Sequence, residues 1–140
     1  MTRAEKYPDT TTFHFYNANP HNRITTDCVI RAICTASGKP YNDVVMDLAE
    51  IQCKTGFDPS EASTFDKYLK SLGFVKHPQP RKYDNTKYTG KEFCEYLRSK
   101  GNEKNIVANI GGHHTVAIIR NRVYDHWNST EGCIGNYWTI

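Results

Sequence analysis

No stretch of this chain approaches the ~20 consecutive apolar residues that a membrane-spanning helix needs, and Met1-Thr2-Arg3 leads into no signal-peptide core. The expectation is therefore a cytoplasmic protein without membrane association. There is no C-x-x-C pair and no His-Glu-x-x-His motif, so a zinc ribbon and a helical zinc site are both disfavoured, and neither metal nor cofactor is expected. The five cysteines, Cys28, Cys34, Cys53, Cys94 and Cys133, are an odd, widely spaced set, which argues against a disulfide framework. Basic residues are scattered rather than striped, and 18 Lys and Arg against 15 Asp and Glu give no nucleic-acid signature. Internal repeats and low-complexity tracts are absent as well.

What remains is a globular composition, 38% hydrophobic and 24% charged, in 140 residues. That length suits one domain spanning residues 1–140. Residues 1–27 read as an irregular lead-in containing at most a short strand, Phe13-His14-Phe15-Tyr16, and forming the lip of a site at Cys28. Residues 28–101 read as mainly helical. Apolar positions recur at helical spacing over about 28–35, 41–54 and 63–72, and Thr89-Gly90-Lys91-Glu92 has capping-box form ahead of a fourth helix. Cys34, Cys53 and Cys94 fall on the apolar sides of these helices and are read as small core residues. The basic, proline-containing run 76–83 reads as an exposed loop.

Over residues 105–140 the period changes. Strands are expected at 106–110, 114–119, 123–127 and 136–140, joined closely enough for an antiparallel meander. Helices first and strands second give an α+β class, with N-terminal helices packed on a C-terminal antiparallel sheet.

The chemistry is concentrated at two places. Thr25-Thr26-Asp27-Cys28-Val29-Ile30-Arg31-Ala32 runs from a capping-type lead-in straight into an apolar helical pattern, with Thr26 or Asp27 as the expected cap. Cys28 then falls in the first turn, where free amides and the helix dipole favour the thiolate. Downstream, His114 opens an apolar strand, and Asp125 lies on the next one across a tight turn. A carboxylate there can accept the His114 Nδ1–H, fix the tautomer and stabilise the imidazolium. Asn128 is the alternative orienter. Strand alternation gives His114, Val116 and Ile118 the inward parity and sends Thr115, Ala117 and Ile119 to the other face. His113 is the competing base, and His126 is expected at the surface or rim. Arg31, one turn beyond Cys28, is a candidate to hold an acidic group or cap the sheet edge. Trp127 and Trp138 read as core aromatics or cleft walls.

This order of residues resembles the papain-like cysteine peptidase superfamily, and in particular the small papain-like proteins of bacteriophage genomes. The likeness rests on Asp27-Cys28-Val29-Ile30-Arg31-Ala32 and on His114 through Trp127, and it spans the chain from about residue 22 onward. It implies a papain-like fold, a Cys28 nucleophile, a His114 base and an Asp125 or Asn128 orienter. It further implies a peptide or protein substrate, a host protein among the possibilities, met in the host cytoplasm. In such enzymes a Gln about six residues before the nucleophile donates to the oxyanion hole. The equivalent here is Asn22, shorter in reach, with Asn17 and Asn19 as fallbacks. Two functions follow: a thiol hydrolase or acyl transferase, or an anti-defence or host-takeover binding protein using the same scaffold with little or no catalysis.

Overall fold

The computed structural model describes residues 1–140. In chain order the elements are α1 (Arg3–Lys6), β1 (Phe13–Phe15), α2 (Cys28–Ser37), α3 (Tyr41–Thr55), α4 (Ala62–Ser71), β2 (Val75–His77) and α5 (Gly90–Ser99). They are followed by β3 (Ile106–Ile110), β4 (His114–Ile119), β5 (Arg122–Asp125) and β6 (Ile134–Thr139). The class is α+β. No helix is long and apolar enough to cross a membrane.

The sheet is larger and less regular than a four-stranded meander. Its order is β1-β5-β4-β3-β6-β2, so β6 returns to pair with β3 instead of continuing beside β5. Two three-residue strands from earlier in the chain close its edges. β1 runs parallel to β5 (Phe13 opposite Val123), and β2 runs antiparallel to β6 (Val75 opposite Thr139). The run at 76–83 is therefore partly strand, and the lead-in holds both a strand and the short α1.

Helices cover both faces of this sheet, which explains why the strand alternation does not divide cleanly into a buried and a solvated side. On one face α2, α3 and α4 pack Ile33, Leu48 and Leu69 against Val107, Ala117 and Trp138. On the other, α5 packs Phe93, Cys94 and Leu97 against Ile106, Val116, Ile118 and Val123. Thr115 and Ala117, assigned to the outer face by parity, are buried like Val116 and Ile118. The capping box that starts α5 is formed in both directions: the Glu92 N–H donates to Thr89 Oγ1 at 3.1 Å and the Thr89 N–H to Glu92 Oε1 at 3.0 Å. Cys34 and Cys94 are buried as expected. Cys53 is exposed, because α3 buries only Val44 and Leu48 and its last turn leaves the core.

Candidate active site

Helix α2 begins at Cys28 and ends with Gly38 in the left-handed conformation (φ 77°). Its first intrahelical bond runs from the Arg31 N–H to the Asp27 carbonyl at 2.9 Å, so the Cys28 amide is one of the unpaired donors of the first turn. Neither Thr26 nor Asp27 caps the helix by its side chain. Asp27 is drawn away by stronger partners: Arg31 Nε (2.8 Å), the Tyr41 hydroxyl (2.5 Å) and Asn19 Nδ2 (3.0 Å) all donate to its carboxylate. Burial alone would raise its pKa, but those three hydrogen bonds outweigh it and hold the group ionised.

β4 supplies His114, and the ladder with β5 puts Tyr124 opposite Ala117, so Asp125 lies near the start of β4. His114 Nε2 meets Asp125 Oδ2 at 2.5 Å. The nitrogen used is Nε2 and not the expected Nδ1, which leaves Nδ1 as the one free for Cys28. Asp125 is 1% exposed. Its other oxygen accepts from Arg31 Nη1 and from the His126 N–H, both at 2.8 Å, and the Ser129 hydroxyl approaches Oδ2 at 3.5 Å. One guanidinium thus joins the carboxylate beside the cysteine to the carboxylate that orients the histidine. Arg31 itself is 5% exposed.

The electrostatics follow from this chain of charges. Burial would push the Cys28 thiol up. Hydrogen bonds from His114 and from the Thr115 N–H, with the charges of His114 and Arg31, more than reverse that and take its pKa below the ordinary thiol value. Burial would lower the His114 pKa. Its bonds to Asp125 and Cys28, and their negative charge, instead raise it to about 9. Burial likewise opposes ionisation of Asp125, yet His114 and Arg31 bring its pKa below the usual carboxylate range. The directions of the two shifts favour a thiolate beside an imidazolium over the neutral pair, and the thiolate is the form in which a cysteine attacks a carbonyl.

Cys28, His114 and Trp127 line one cleft of about 640 Å³, together with Thr25, Thr26, Asp58 and His126. The Trp127 ring packs on His114, centroids 5.1 Å apart. Three expectations fail here. Asn22 does not line the cleft. It is exposed, with φ 54°, in a turn whose N–H bonds to the Asn19 carbonyl. The fallbacks Asn17 and Asn19 are engaged elsewhere, with the Arg23 carbonyl and the Asp27 carboxylate. Asn128 does not orient His114, because its Oδ1 accepts from the Thr130 amide (3.0 Å) and hydroxyl (2.6 Å). His126 is not at the surface. The strand ends at Asp125, and the bend that follows turns His126 inward to 4% exposure.

His113 is exposed on the cleft rim and makes no bond to Asp125. Trp138 belongs to the core, its indole N–H donating to Asp66 at 2.8 Å. Cys133 is exposed and lies outside the cleft. Asp27 and Tyr41 were missed as members of the charge chain; the i, i+4 spacing of Asp27 and Arg31 was the available signal. No group of three or more His, Cys, Asp or Glu side chains is arranged to hold a metal ion. No family model, curated protein or solved structure matches the chain.

Proposed function

We propose that this protein is a cysteine hydrolase of papain-like type, built on a papain-like α+β fold of the small phage-encoded kind and acting on a peptide or protein amide in the cytoplasm of the host. The observation that carries the reading is the continuous set of contacts from Arg31 through Asp125 to His114, with Cys28 beside the imidazole at a helix start. In the reaction, the Cys28 thiolate attacks the carbonyl carbon. The oxyanion that develops lies toward the unpaired Cys28 N–H. His114, holding its proton on Nδ1, gives it to the departing amine, and a thioester to Cys28 remains. Water then enters, His114 takes its proton, and the acid leaves with the thiol restored. Asp125 keeps Nε2–H bonded throughout and stabilises the imidazolium. An amine in place of the water would make the same site an acyl transferase.

A second reading, a host-directed binding protein with a slack site, draws on one specific observation. Asn22 does not reach the cleft, so the oxyanion lacks the expected side-chain donor. Losing such a donor costs about 10²–10³ in rate. The test is a peptidyl vinyl sulfone with tryptic mass spectrometry, followed by a peptide-amide library. The hydrolase reading expects a single adduct on Cys28, and cleavage that Cys28→Ser abolishes. Labelling of the exposed Cys53 and Cys133 as fast as Cys28, with no cleavage, overturns it.

A further inference from the structure

Two hollows flank the imidazole. The cleft at Cys28 and a smaller pocket of about 170 Å³ share His114 and Trp127 in their walls. Their charged groups are one-sided. Arg31 is the single guanidinium in either lining, its charge committed to Asp27 and Asp125, and the His114 imidazolium, which lines both hollows, is committed to Asp125 and Cys28. No lysine lines either hollow. The charged side chains left over are Asp58 on the cleft rim and Glu131 in the smaller pocket, and neither belongs to an ion pair. This is opposite to the balance of the chain, which carries a net charge of +3.

Two further features of the cleft suit a cation. His126 lines the cleft and is buried with no hydrogen-bond partner at Nδ1 or Nε2, Nδ1 standing 3.8 Å from Asp125 Oδ1; an unbonded buried ring is costly, and a ligand donor reaching it would complete it. Burial, and then the charge of Arg31, favour its neutral form, so one ring nitrogen is an acceptor. Trp127 is 36% exposed and offers an aromatic face, which attracts ammonium and guanidinium groups. Carboxylate, neutral imidazole and indole share one cleft, with no uncommitted positive charge from lysine or arginine.

We propose that the substrate is a basic peptide segment, with a lysine or arginine side chain lying against Trp127 and directed to Asp58 and His126, while Glu131 extends the preference to the far side of His114. The proposal rests on the hydrolase reading and names its substrate class.

The test uses the whole protein and three methanethiosulfonates: trimethylammonioethyl, sulfonatoethyl and the neutral methyl reagent. In each case the thiolate attacks the sulfenyl sulfur, a disulfide forms and methanesulfinate leaves. Rates at Cys28 are read by mass spectrometry at low ionic strength and divided by those at Cys53 in the same molecule. The cationic reagent is expected to exceed the anionic one at Cys28 by about tenfold, from electrostatics over distances of several ångströms. That ratio should fall about threefold in Asp58→Asn, fall again in Glu131→Gln, and collapse near 0.5 M salt, where the screening length is only about 4 Å. A wild-type ratio near one, or a ratio that both substitutions leave unmoved, overturns the proposal.

A second measurement is independent of reagent charge. Acetyl-trilysine amide should protect Cys28 from the neutral reagent better than acetyl-triglutamate amide, with the advantage reduced in His126→Phe. Equal protection by the two peptides also overturns the proposal. The two levels separate cleanly. Rapid, charge-blind modification of Cys28 leaves the hydrolase reading standing and removes the substrate class, whereas a Cys28 no faster than Cys53 toward the neutral reagent removes both.

Discussion

The two faces of the sheet each carry a cysteine against a strand, and the pKa values of the two thiols shift in opposite directions. Cys94, on the α5 face, is 0% exposed among Phe93, Leu97, Ile118 and Val123. Burial drives its pKa up to about 12, and Arg98 and the Val123 N–H relieve that only in part. Cys28, on the α2 face, is also substantially buried, yet its pKa lies below the ordinary value because His114, Thr115 and Arg31 are aimed at it. Burial acts in the same direction on both. What differs is the surroundings: Cys94 packs into an apolar cluster of α5 and the strands. Cys28 stands where a helix start, a strand start and a strand end bring unpaired polar groups together. The lowered thiol pKa here is a property of element ends.

The comparison is broken most severely by removing the charge that links the ends. Arg31→Met takes the shared guanidinium from two buried carboxylates, leaving Asp27 with no cation and Asp125 with His114 alone, and unfolding in urea should show a loss of about 3–5 kcal/mol, with Cys28 reactivity lost as well. A loss below 1 kcal/mol would contradict the linkage. On the other face, Phe93→Ala should cost a similar ~3–5 kcal/mol through a cavity. Its alkylation profile at Cys28 should match the wild type, which separates stability from reactivity.

Smaller effects sharpen the contrast through pH. The His114 pKa is raised in the folded state, so its contribution to stability is complete below the unfolded value near 6.5 and is lost as pH rises through about 9. Asp125 has the opposite sign: its contribution is present above the unfolded carboxylate pKa near 4 and is lost as pH falls through its depressed folded value. Stability measured from pH 6 to 10 should therefore decline on the alkaline side, and His114→Gln should flatten that decline. Least of all, Thr89→Ala removes one half of the α5 capping box and should cost about 1 kcal/mol without altering the Cys28 profile.

Much of the site was legible because its members sit at strong local signals. Cys28 follows a polar lead-in into an apolar helix, His114 opens a strand, and Asp125 follows one tight turn later. The four helices and the core strands were legible from period alone. What local sequence does not announce depends on partners far along the chain. β1 and β2 are three residues each, too short for alternation to speak, and are fixed only by β5 and β6. Alternation continued past Asp125 puts His126 outside, but the strand has already ended there. Counting back along the chain selects Asn22, but a left-handed turn carries it into solvent. Asp27 read as a helix cap because nothing local announces Tyr41 and Asn19 as its competing donors.

The central claim is that His114 holds Cys28 as a thiolate, and the pH dependence of Cys28 alkylation tests it most directly. Iodoacetamide rates at Cys28, followed by mass spectrometry from pH 4 to 10, should give a midpoint well below ~8.5 in the wild type. In His114→Ala the midpoint should move up toward or beyond that value, with Cys53 as the unchanging internal reference. A wild-type midpoint at an ordinary thiol value, unmoved by His114→Ala, would contradict the account.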